Sequence, residues 1–302
     1  GKSAFMSCRA CGFVVKCPHC DVSLSEHSGG VMVCHYCGYR QPVPKVCPSC
    51  GSKYISGFKA GTQKIEAMVA KRFPQARILR MDYDTTRAKD AYEKILQAFS
   101  DHEADILIGT QMIVKGHDFP NVTLVAALAA DMSLYAGDYR SSERTFELLM
   151  QASGRAGRAE KAGEDVIQTY NPEEYSIQAV AGQDAEYFYE NELAFRRLMK
   201  YPPYSQMAAI LILSEEENEA KTLSEKLAEN IHSVCGDAVT LIGPSKAGLS
   251  RAKDRYRYVL YVKSMDEEAM ACVREIAEEA NRRVVNQKTC SVQYDRDPVN
   301  GY

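Results

Sequence analysis

The middle of the chain alternates between two hydrophobic periods. Apolar side chains three and four residues apart predict two amphipathic helices. These side chains are Ile65, Met68, Val69 and Phe73 in the first helix and Tyr92, Ile95, Leu96 and Phe99 in the second. Apolar runs predict strands over 76–81, 105–108, 122–129 and 166–170. Because strands that alternate with helices form parallel sheets, this part is predicted to be α/β.

The C-terminal third has a different order of elements. Strands are predicted over 208–213, 238–242, 255–262 and 289–293, and helices over 217–234 and 266–284. The apolar faces of the two helices are Ala220, Leu223, Leu227 and Ile231, and Met270, Val273, Ile276 and Ala280. The order βαββαβ is that of a ferredoxin-like domain.

Eight of the 11 cysteines form four pairs near the N-terminus, with two residues between partners. The pairs are Cys8/Cys11, Cys17/Cys20, Cys34/Cys37 and Cys47/Cys50. A two-residue gap lets one tight turn aim both sulfurs at one ion, and two such turns complete a four-thiolate zinc site. The pattern predicts a zinc-ribbon-like module that binds two Zn²⁺ ions.

Spacing does not decide which pairs share an ion. The spacer between Cys20 and Cys34 is close to a zinc-ribbon loop in length, which favours a nested arrangement. In that arrangement the two inner pairs share one ion and the two outer pairs share the other. A disulfide framework is the alternative, but no secretion signal supports it. Iron–sulfur ligation would favour a more crowded spacing.

Overall composition is that of a globular protein, with 45% hydrophobic and 25% charged residues among 302. No apolar run approaches the roughly 18 residues of a membrane helix. The N-terminal residues do not have the pattern of a secretory signal. We therefore expect a cytosolic monomer without a membrane partner. A net charge of -3 gives no overall positive field, so nucleic-acid binding would need local basic patches.

Two signature strings lie near the predicted carboxyl ends of the strands. The first is ILIGTQ at 106–111, followed by KGHDFP at 115–120. The second is QASGRAGR at 151–158, in a helix predicted to begin near Ser141. Two arginines three apart on one helical face can both point at a phosphate, which the planar guanidinium binds through two oxygens.

In order and separation these strings are similar to motifs V and VI of superfamily 2 helicases. The chain also resembles the PriA family of replication-restart DNA helicases. The features that carry this resemblance are the cysteine pairs leading into such a lobe, GTQM at 109–112, DYDTT at 82–86 and YPPY at 201–204. The resemblance covers essentially the whole chain. It implies the C-terminal part of an ATP-dependent 3′-to-5′ helicase that acts in primosome assembly and replication restart at stalled forks. Implied partners are forked or single-stranded DNA, primosome proteins and single-strand-binding proteins.

The resemblance also implies roles for individual residues. Arg155 and Arg158 would be arginine fingers that act on the γ-phosphate, and Gln151 would help to order them. Gly116 and Asp118 would lie beside the nucleotide. Thr110 and Thr85 would contact the DNA backbone without reading its sequence. A helix N-cap is the alternative interpretation of Thr85.

The 302 residues contain no complete phosphate cradle of the form G-x-x-x-x-G-K-[ST]. Gly1-Lys2-Ser3 matches only the end of that motif. The resemblance places the binding of ATP and Mg²⁺ with a first helicase lobe outside this sequence. We therefore expect the chain by itself to be inactive as an ATPase.

Basic residues and tyrosines interleave between 246 and 263. They are Lys246, Arg251, Lys253, Arg255, Arg257 and Lys263, with Tyr256, Tyr258 and Tyr261. Basic charge attracts phosphate and tyrosine can stack on bases, so DNA binding is predicted here. The candidates are Arg251, Lys253, Arg255 and Arg257. The alternative is a solvated strand face whose tyrosines lie in the core.

These patterns divide the chain into four parts. They are a zinc module at 1–53, a RecA-like second helicase lobe at 54–183, a helical connector at 184–204 and an α+β DNA-binding domain at 205–302. Two other interpretations of function stay open. One is a non-enzymatic zinc-ribbon module that binds nucleic acid or protein on a helicase-derived scaffold, and the other is an RNA helicase.

Overall fold

The computed structural model describes residues 5–19, 23–27, 30–34, 37–57, 61–86, 88, 90–114, 119–134, 138–156, 163–284 and 289–299. The chain divides into two compact units. Unit 1 comprises Gly1–Gly57, Tyr135–Ser142 and Glu186–Tyr302, and unit 2 comprises Phe58–Leu134 and Glu143–Ala185. The four-part division at 1–53, 54–183, 184–204 and 205–302 stays a prediction.

Short antiparallel strands build the cysteine module at the start of unit 1. Strand β1 (Met6–Cys8) pairs with the last strand of the module, whose bounds are Ile55–Gly57. Between them, β2 (Ser25–His27), β3 (Val31–Val33) and β4 (Arg40–Pro42) form a three-stranded sheet, so the strand Ile55–Gly57 is β5. Several apolar side chains of this module are buried, and Leu24 and Met32 are fully buried.

Unit 2 has the predicted alternation of helices and parallel strands. Its elements are α1 (Thr62–Arg72), β6 (Ile78–Met81), α2 (Ala91–Ser100), β7 (Ile106–Gly109), β8 (Leu124–Ala127), α3 (Asp131–Leu134), α4 (Ser141–Ser153), β9 (Glu164–Ile167) and α5 (Tyr175–Gly182). The first two residues of α4 belong to unit 1. β6 pairs with β7 and β8 pairs with β9, both in parallel. The α/β prediction is therefore confirmed.

Two details of the prediction for unit 2 are wrong. The expected core face of α1 is not buried, since Met68 is 61% and Phe73 is 53% exposed. Among the described residues the neighbouring sheet contains the two strands β6 and β7, and these offer little surface to cover a helix. The prediction that Arg155 lies on a face of this helix is also wrong, because α4 ends at Ser153. Arg155 lies in the turn that follows, where its amide donates to the Ala152 carbonyl at 3.0 Å.

The rest of unit 1 is the predicted ferredoxin-like domain, preceded by a helix. Its elements are α6 (Ala185–Met199), β10 (Gln206–Ser214), α7 (Glu217–Cys235), β11 (Thr240–Ala252), β12 (Arg255–Ser264), α8 (Glu267–Arg283) and β13 (Cys290–Arg296). The strands pair antiparallel in the order β11-β12-β10-β13. β11 continues well beyond its predicted end near 242, with irregularities after Ile242 and Lys246.

Both faces of this sheet are covered, each by a different part of the chain. Alternate residues of β10 point to opposite faces. Ala208, Ile210 and Ile212 belong to the core formed with α7 and α8. Met207, Ala209 and Leu211 belong to a second core, which they share with the cysteine module. The module contributes buried Met6, Val15, Leu24 and Met32 and the cysteines Cys8, Cys17, Cys34 and Cys47.

Candidate metal centres, arginine site and basic hairpin

The first and last cysteine pairs of the module meet in one cluster. The sulfurs of Cys8, Cys11, Cys47 and Cys50 all lie within 4.8 Å of one another. Cys8 Sγ is 3.6 Å from Cys50 Sγ, and Cys11 Sγ is 3.7 Å from Cys47 Sγ. Zinc bound tetrahedrally at about 2.3 Å from each sulfur requires sulfurs about 3.8 Å apart. The cluster therefore fits a zinc ion.

The inner pairs supply a second cluster. The sulfurs of Cys17, Cys34 and Cys37 lie within 4.8 Å of one another, with 3.5 Å between Cys17 and Cys37. Cys20, the fourth predicted ligand, lies outside the described residues. The grouping of the cysteines is that of the nested arrangement, with outer pairs together and inner pairs together.

Tight turns hold three of the cysteine pairs. Gly12, Gly38 and Gly51 follow the second cysteine of their pairs with φ of 74°, 77° and 72°, a region that favours glycine. Each glycine amide donates to the carbonyl of the first cysteine of its pair at 2.9 Å. The hydrogen bond closes the turn with both cysteines on the same side.

The thiols of the outer cluster differ in acidity. Burial raises the pKa of Cys8, but hydrogen bonds from the Ala10 and Cys11 amides and from neighbouring thiols lower it to about 6. For Cys50 the Ser52 amide lowers the pKa, while the Cys11 thiol, burial and the other thiols raise it to about 12. Binding of a divalent cation to four thiolates must therefore displace protons, so affinity rises with pH.

The second helicase-like string contacts the turn that follows the first part of the other string in unit 2. A Cβ atom at Gly109 would lie 2.7 Å from the Met81 carbonyl oxygen, so only glycine fits where β7 ends. The chain then forms a 3₁₀ turn at Gln111–Val114. Arg155 Nη2 donates to the Val114 carbonyl oxygen at 2.5 Å. Its Nε is buried and has no hydrogen-bond partner among the described residues.

The structure describes some of the other predicted site residues of these strings and not others. Thr110 and Gln151 are exposed. Gly116, Asp118 and Arg158 lie outside the described residues.

Thr85 closes a turn after β6. Its Oγ1 accepts from the Asp82 amide at 2.8 Å and donates to the Asp82 carbonyl at 3.0 Å. Thr62 in α1 donates to the Asp82 carboxylate at 2.5 Å, and this bond lowers the pKa of Asp82. The alternative interpretation of Thr85 as a helix N-cap is wrong, because Asp90 is the N-cap of α2. A DNA contact from Thr85 stays a prediction.

The predicted basic stretch lies in the β11–β12 hairpin, and residues 249–257 at its tip are named the basic hairpin. Lys253 and Asp254 form its turn with φ of 50° and 60°, as in two-residue hairpin turns. Arg251 lies over the Tyr256 ring at 5.1 Å and is 3.5 Å from the Asp254 carboxylate. Arg257 Nη1 donates to the Leu249 carbonyl at 3.1 Å.

Other members of the stretch have structural roles. Lys246 forms an ion pair with Glu217. Lys263 donates to the Met199 carbonyl at 2.9 Å. Tyr258 and Tyr261 are 7% and 1% exposed, so neither ring is available to a base. The alternative prediction, tyrosines in the core, is therefore correct for these two residues.

Comparison with protein-family models divides the chain into three matched regions. Residues 17–42 match the PriA DNA helicase Cys-rich region, 53–160 match the helicase conserved C-terminal domain, and 197–299 match the primosomal protein N C-terminal domain. The chain belongs to the PriA family. This confirms the family expected from the sequence strings.

Named PriA-family relatives match nearly the whole chain. Replication restart protein PriA of Bacillus subtilis is 47% identical over 99% of this chain and 37% of the relative. The Synechocystis protein of the same name is 43% identical over 87% of this chain and 32% of the relative. The Haemophilus influenzae protein is 34% identical over 86% of this chain and 36% of the relative. The chain thus spans about a third of the length of these relatives.

A designed protein with a ferredoxin fold is 17% identical to this chain, with a TM-score of 0.22, and the match covers 32% of this chain and 88% of the designed protein. Among the described residues, no helix is both long and apolar enough to cross a membrane.

Proposed function

We propose that the chain is the zinc-bearing second lobe and C-terminal domain of an ATP-dependent 3′-to-5′ DNA helicase that restarts replication at stalled forks. The observation that carries this proposal is the hydrogen bond from Arg155 to Val114. It joins the string that resembles motif VI to the 3₁₀ turn between the two parts of the string that resembles motif V, and in such helicases both motifs face the nucleotide. The curated relatives are named replication restart proteins, which supports the choice of pathway.

In this proposal the arginines act on the γ-phosphate of ATP. Arg155 and Arg158 offset the charge that develops during hydrolysis, and Gln151 helps to order them. Gly116 and Asp118 lie beside the nucleotide. ATP and Mg²⁺ are held with a first helicase lobe, since the printed sequence contains no phosphate cradle.

Zinc has a structural role in the proposal. Two Zn²⁺ ions, one in each cluster, link the turns of the small module and add to its folding free energy. A site of four thiolates carries about two net negative charges, which does not suit phosphate binding. The module is therefore a scaffold and not a DNA contact.

DNA contacts come from positive and hydroxyl groups elsewhere. Arg251, Lys253, Arg255 and Arg257 of the basic hairpin attract the phosphates of forked or single-stranded DNA. Thr110 and Thr85 add hydroxyl contacts to the backbone. Primosome and single-strand-binding proteins are the proposed protein partners of a monomer in the cytosol.

The test is ATP hydrolysis by the full-length protein that contains this chain. Arg155→Ala and Arg158→Ala should each lower DNA-dependent hydrolysis by roughly 10³-fold, because an arginine at the transferred phosphate contributes about that much. DNA affinity should change little. Arg72→Ala, an exposed arginine at the end of α1, is the matched control and should hydrolyse ATP normally. Normal turnover in both test variants would contradict the proposal and favour the non-enzymatic scaffold.

A further inference from the structure

Strand β11 departs from regular pairing where it enters the basic hairpin. It pairs with β12 at Lys246 and again at Arg251. Between these two positions β11 has four residues, 247–250, whereas β12 has only Arg257. The extra residues form a bulge, which breaks the alternation of the strand and aims side chains in a new direction.

Two contacts fix the bulge in place. Ala247 is fully buried in the core that the sheet shares with the cysteine module. The Arg257 side chain reaches across from β12, and its Nη1 donates to the Leu249 carbonyl oxygen at 3.1 Å. The backbone of the bulge is therefore held both by the core and by the opposite strand.

The bulge presents one large apolar side chain to solvent. Leu249 is 59% exposed, and the neighbouring residues Gly248 and Ser250 are exposed as well. A single exposed apolar residue is common on protein surfaces and needs no functional explanation by itself. Leu249 differs from such residues because its backbone is fixed by a guanidinium and because of the charges beside it in the sequence.

The charged residues of the basic hairpin are almost all positive. They are Arg251, Lys253, Arg255 and Arg257, with Asp254 as the one negative residue. Val234 on α7 is a useful contrast, since it is 58% exposed but no lysine or arginine lies between 227 and 239. An apolar side chain among positive charges suits a polyanion that also offers apolar surface. DNA is such a ligand, because its phosphates attract basic groups and apolar side chains can pack on its bases.

We propose that Leu249 determines a preference of the basic hairpin for the junction of a fork, where duplex DNA ends. The positive side chains hold phosphates, and Leu249 packs against the last base pair of the duplex. At a junction this base pair is stacked on one side only, so Leu249 covers its open face without separating stacked bases. A single strand offers the same phosphates but no such base pair. The inference rests on the proposed function, because it specifies which DNA structure the basic hairpin recognises.

Equilibrium binding by the zinc-loaded chain tests the proposal. Fluorescence anisotropy compares three DNA molecules with equal numbers of phosphates: a fork, a single strand, and a duplex closed by loops at both ends. Leu249→Ala should weaken binding of the fork about fivefold to tenfold, because the fork alone loses an apolar contact. Affinity for the other two molecules should stay within about twofold of the parent value. Leu249→Met keeps an apolar side chain of similar size and should bind the fork like the parent.

Val234→Ala is the control, since it removes an equally exposed apolar side chain outside the hairpin and should alter none of the three affinities. The possible outcomes separate this inference from the proposed function. Equal losses on all three molecules, or no loss on the fork, would overturn the role of Leu249 and leave DNA binding by the basic hairpin intact. If the parent bound none of the three even at low salt, the DNA contacts of the proposed function would fail and this inference with them.

Discussion

Gly38, the glycine of an inner cysteine turn, lies directly against Ser245 of β11. A Cβ atom at Gly38 would stand 3.3 Å from the Ser245 Cβ, closer than side chains ordinarily approach. Ser245 itself is 6% exposed and has little room to move. The cysteine module and the strand that leads to the basic hairpin therefore fit together without space for one extra methyl group.

This contact predicts unequal effects at two similar glycines. Gly38→Ala and Gly51→Ala both place a side chain at a positive φ, which costs roughly 1–2 kcal/mol in each case. Only Gly38→Ala also adds a contact, because a Cβ at Gly51 meets nothing within 4 Å. We expect Gly38→Ala to lower the free energy of unfolding of unit 1 by about 1 kcal/mol more than Gly51→Ala. Equal losses by chemical denaturation would contradict the contact.

Metal content gives the second prediction. Two zinc ions should bind per chain, and Cys37→Ser and Cys50→Ser should each leave one ion, because their sulfurs belong to different clusters. Elemental analysis of both variants, beside the parent, measures this. One ion in the parent, or complete loss in either variant, would contradict two independent four-thiolate sites.

DNA binding by the chain should depend on the basic hairpin and on salt. With about three phosphates neutralised, affinity should fall about 40-fold for a fourfold rise in salt concentration. Arg251→Ala and Arg257→Ala should each reduce the salt slope by about 0.7 to 0.9. Fluorescence anisotropy with a forked oligonucleotide checks both values. Arg283→Ala, paired with Glu279 on α8, is the control and should keep the parent slope.

The chain alone should release no phosphate from ATP, with or without DNA. In the proposed function Arg155 offers charge to a γ-phosphate, but no phosphate cradle in the 302 residues holds that phosphate in place, so positioning is lost together with affinity. A phosphate-release assay on the purified chain measures this. If the chain hydrolysed ATP and Arg155→Ala abolished this activity, the prediction would be wrong, and the phosphate cradle would lie within this sequence.

An ion pair in unit 2 predicts a pH effect. Hydrogen bonds from the Arg77 side chain, at 2.8 Å and 3.1 Å, lower the pKa of Asp105 from 3.8 to about 2. Because the folded-state pKa is depressed, the pair stabilises unit 2 above about pH 4, and this contribution is lost as the pH falls through about 2. Arg77→Met should raise the Asp105 pKa towards 3.8, as followed by carboxyl-carbon NMR. An unchanged titration would show that Arg77 is not the cause.

Local patterns predicted much of this molecule. Cysteine spacing identified the metal-binding turns, because a turn of four residues is specified within its own sequence. Hydrophobic periods identified the parallel strands of unit 2 and the βαββαβ order, since period and fold class are directly linked. The glycines at 154 and 157 were a signal against a continuous helix through Arg155, and their low helix propensity explains why α4 ends early.

Contacts between distant segments left little trace in the sequence. Nothing near Tyr139 indicates that its ring stacks on Tyr201, which is distant along the chain. One available signal was the unbroken apolar run of β10 from Met207 to Leu213. Such a run is typical of a strand buried on both faces. It indicates that both faces of the sheet are packed against other parts of the chain, but it does not identify the cysteine module as one of those parts.

The second core of unit 1 joins the first residues of the chain to some of its last. A ribosome that adds about 5–20 residues each second completes the cysteine turns well before it releases β10 and β12. About 150 residues separate Cys50 from Met207, so the newly made module waits roughly 8–30 s for the strands that cover it. During that interval Leu24 and Met32 have no sheet to pack on. Metal captured by the nascent turns would hold the module together until its cover is synthesised.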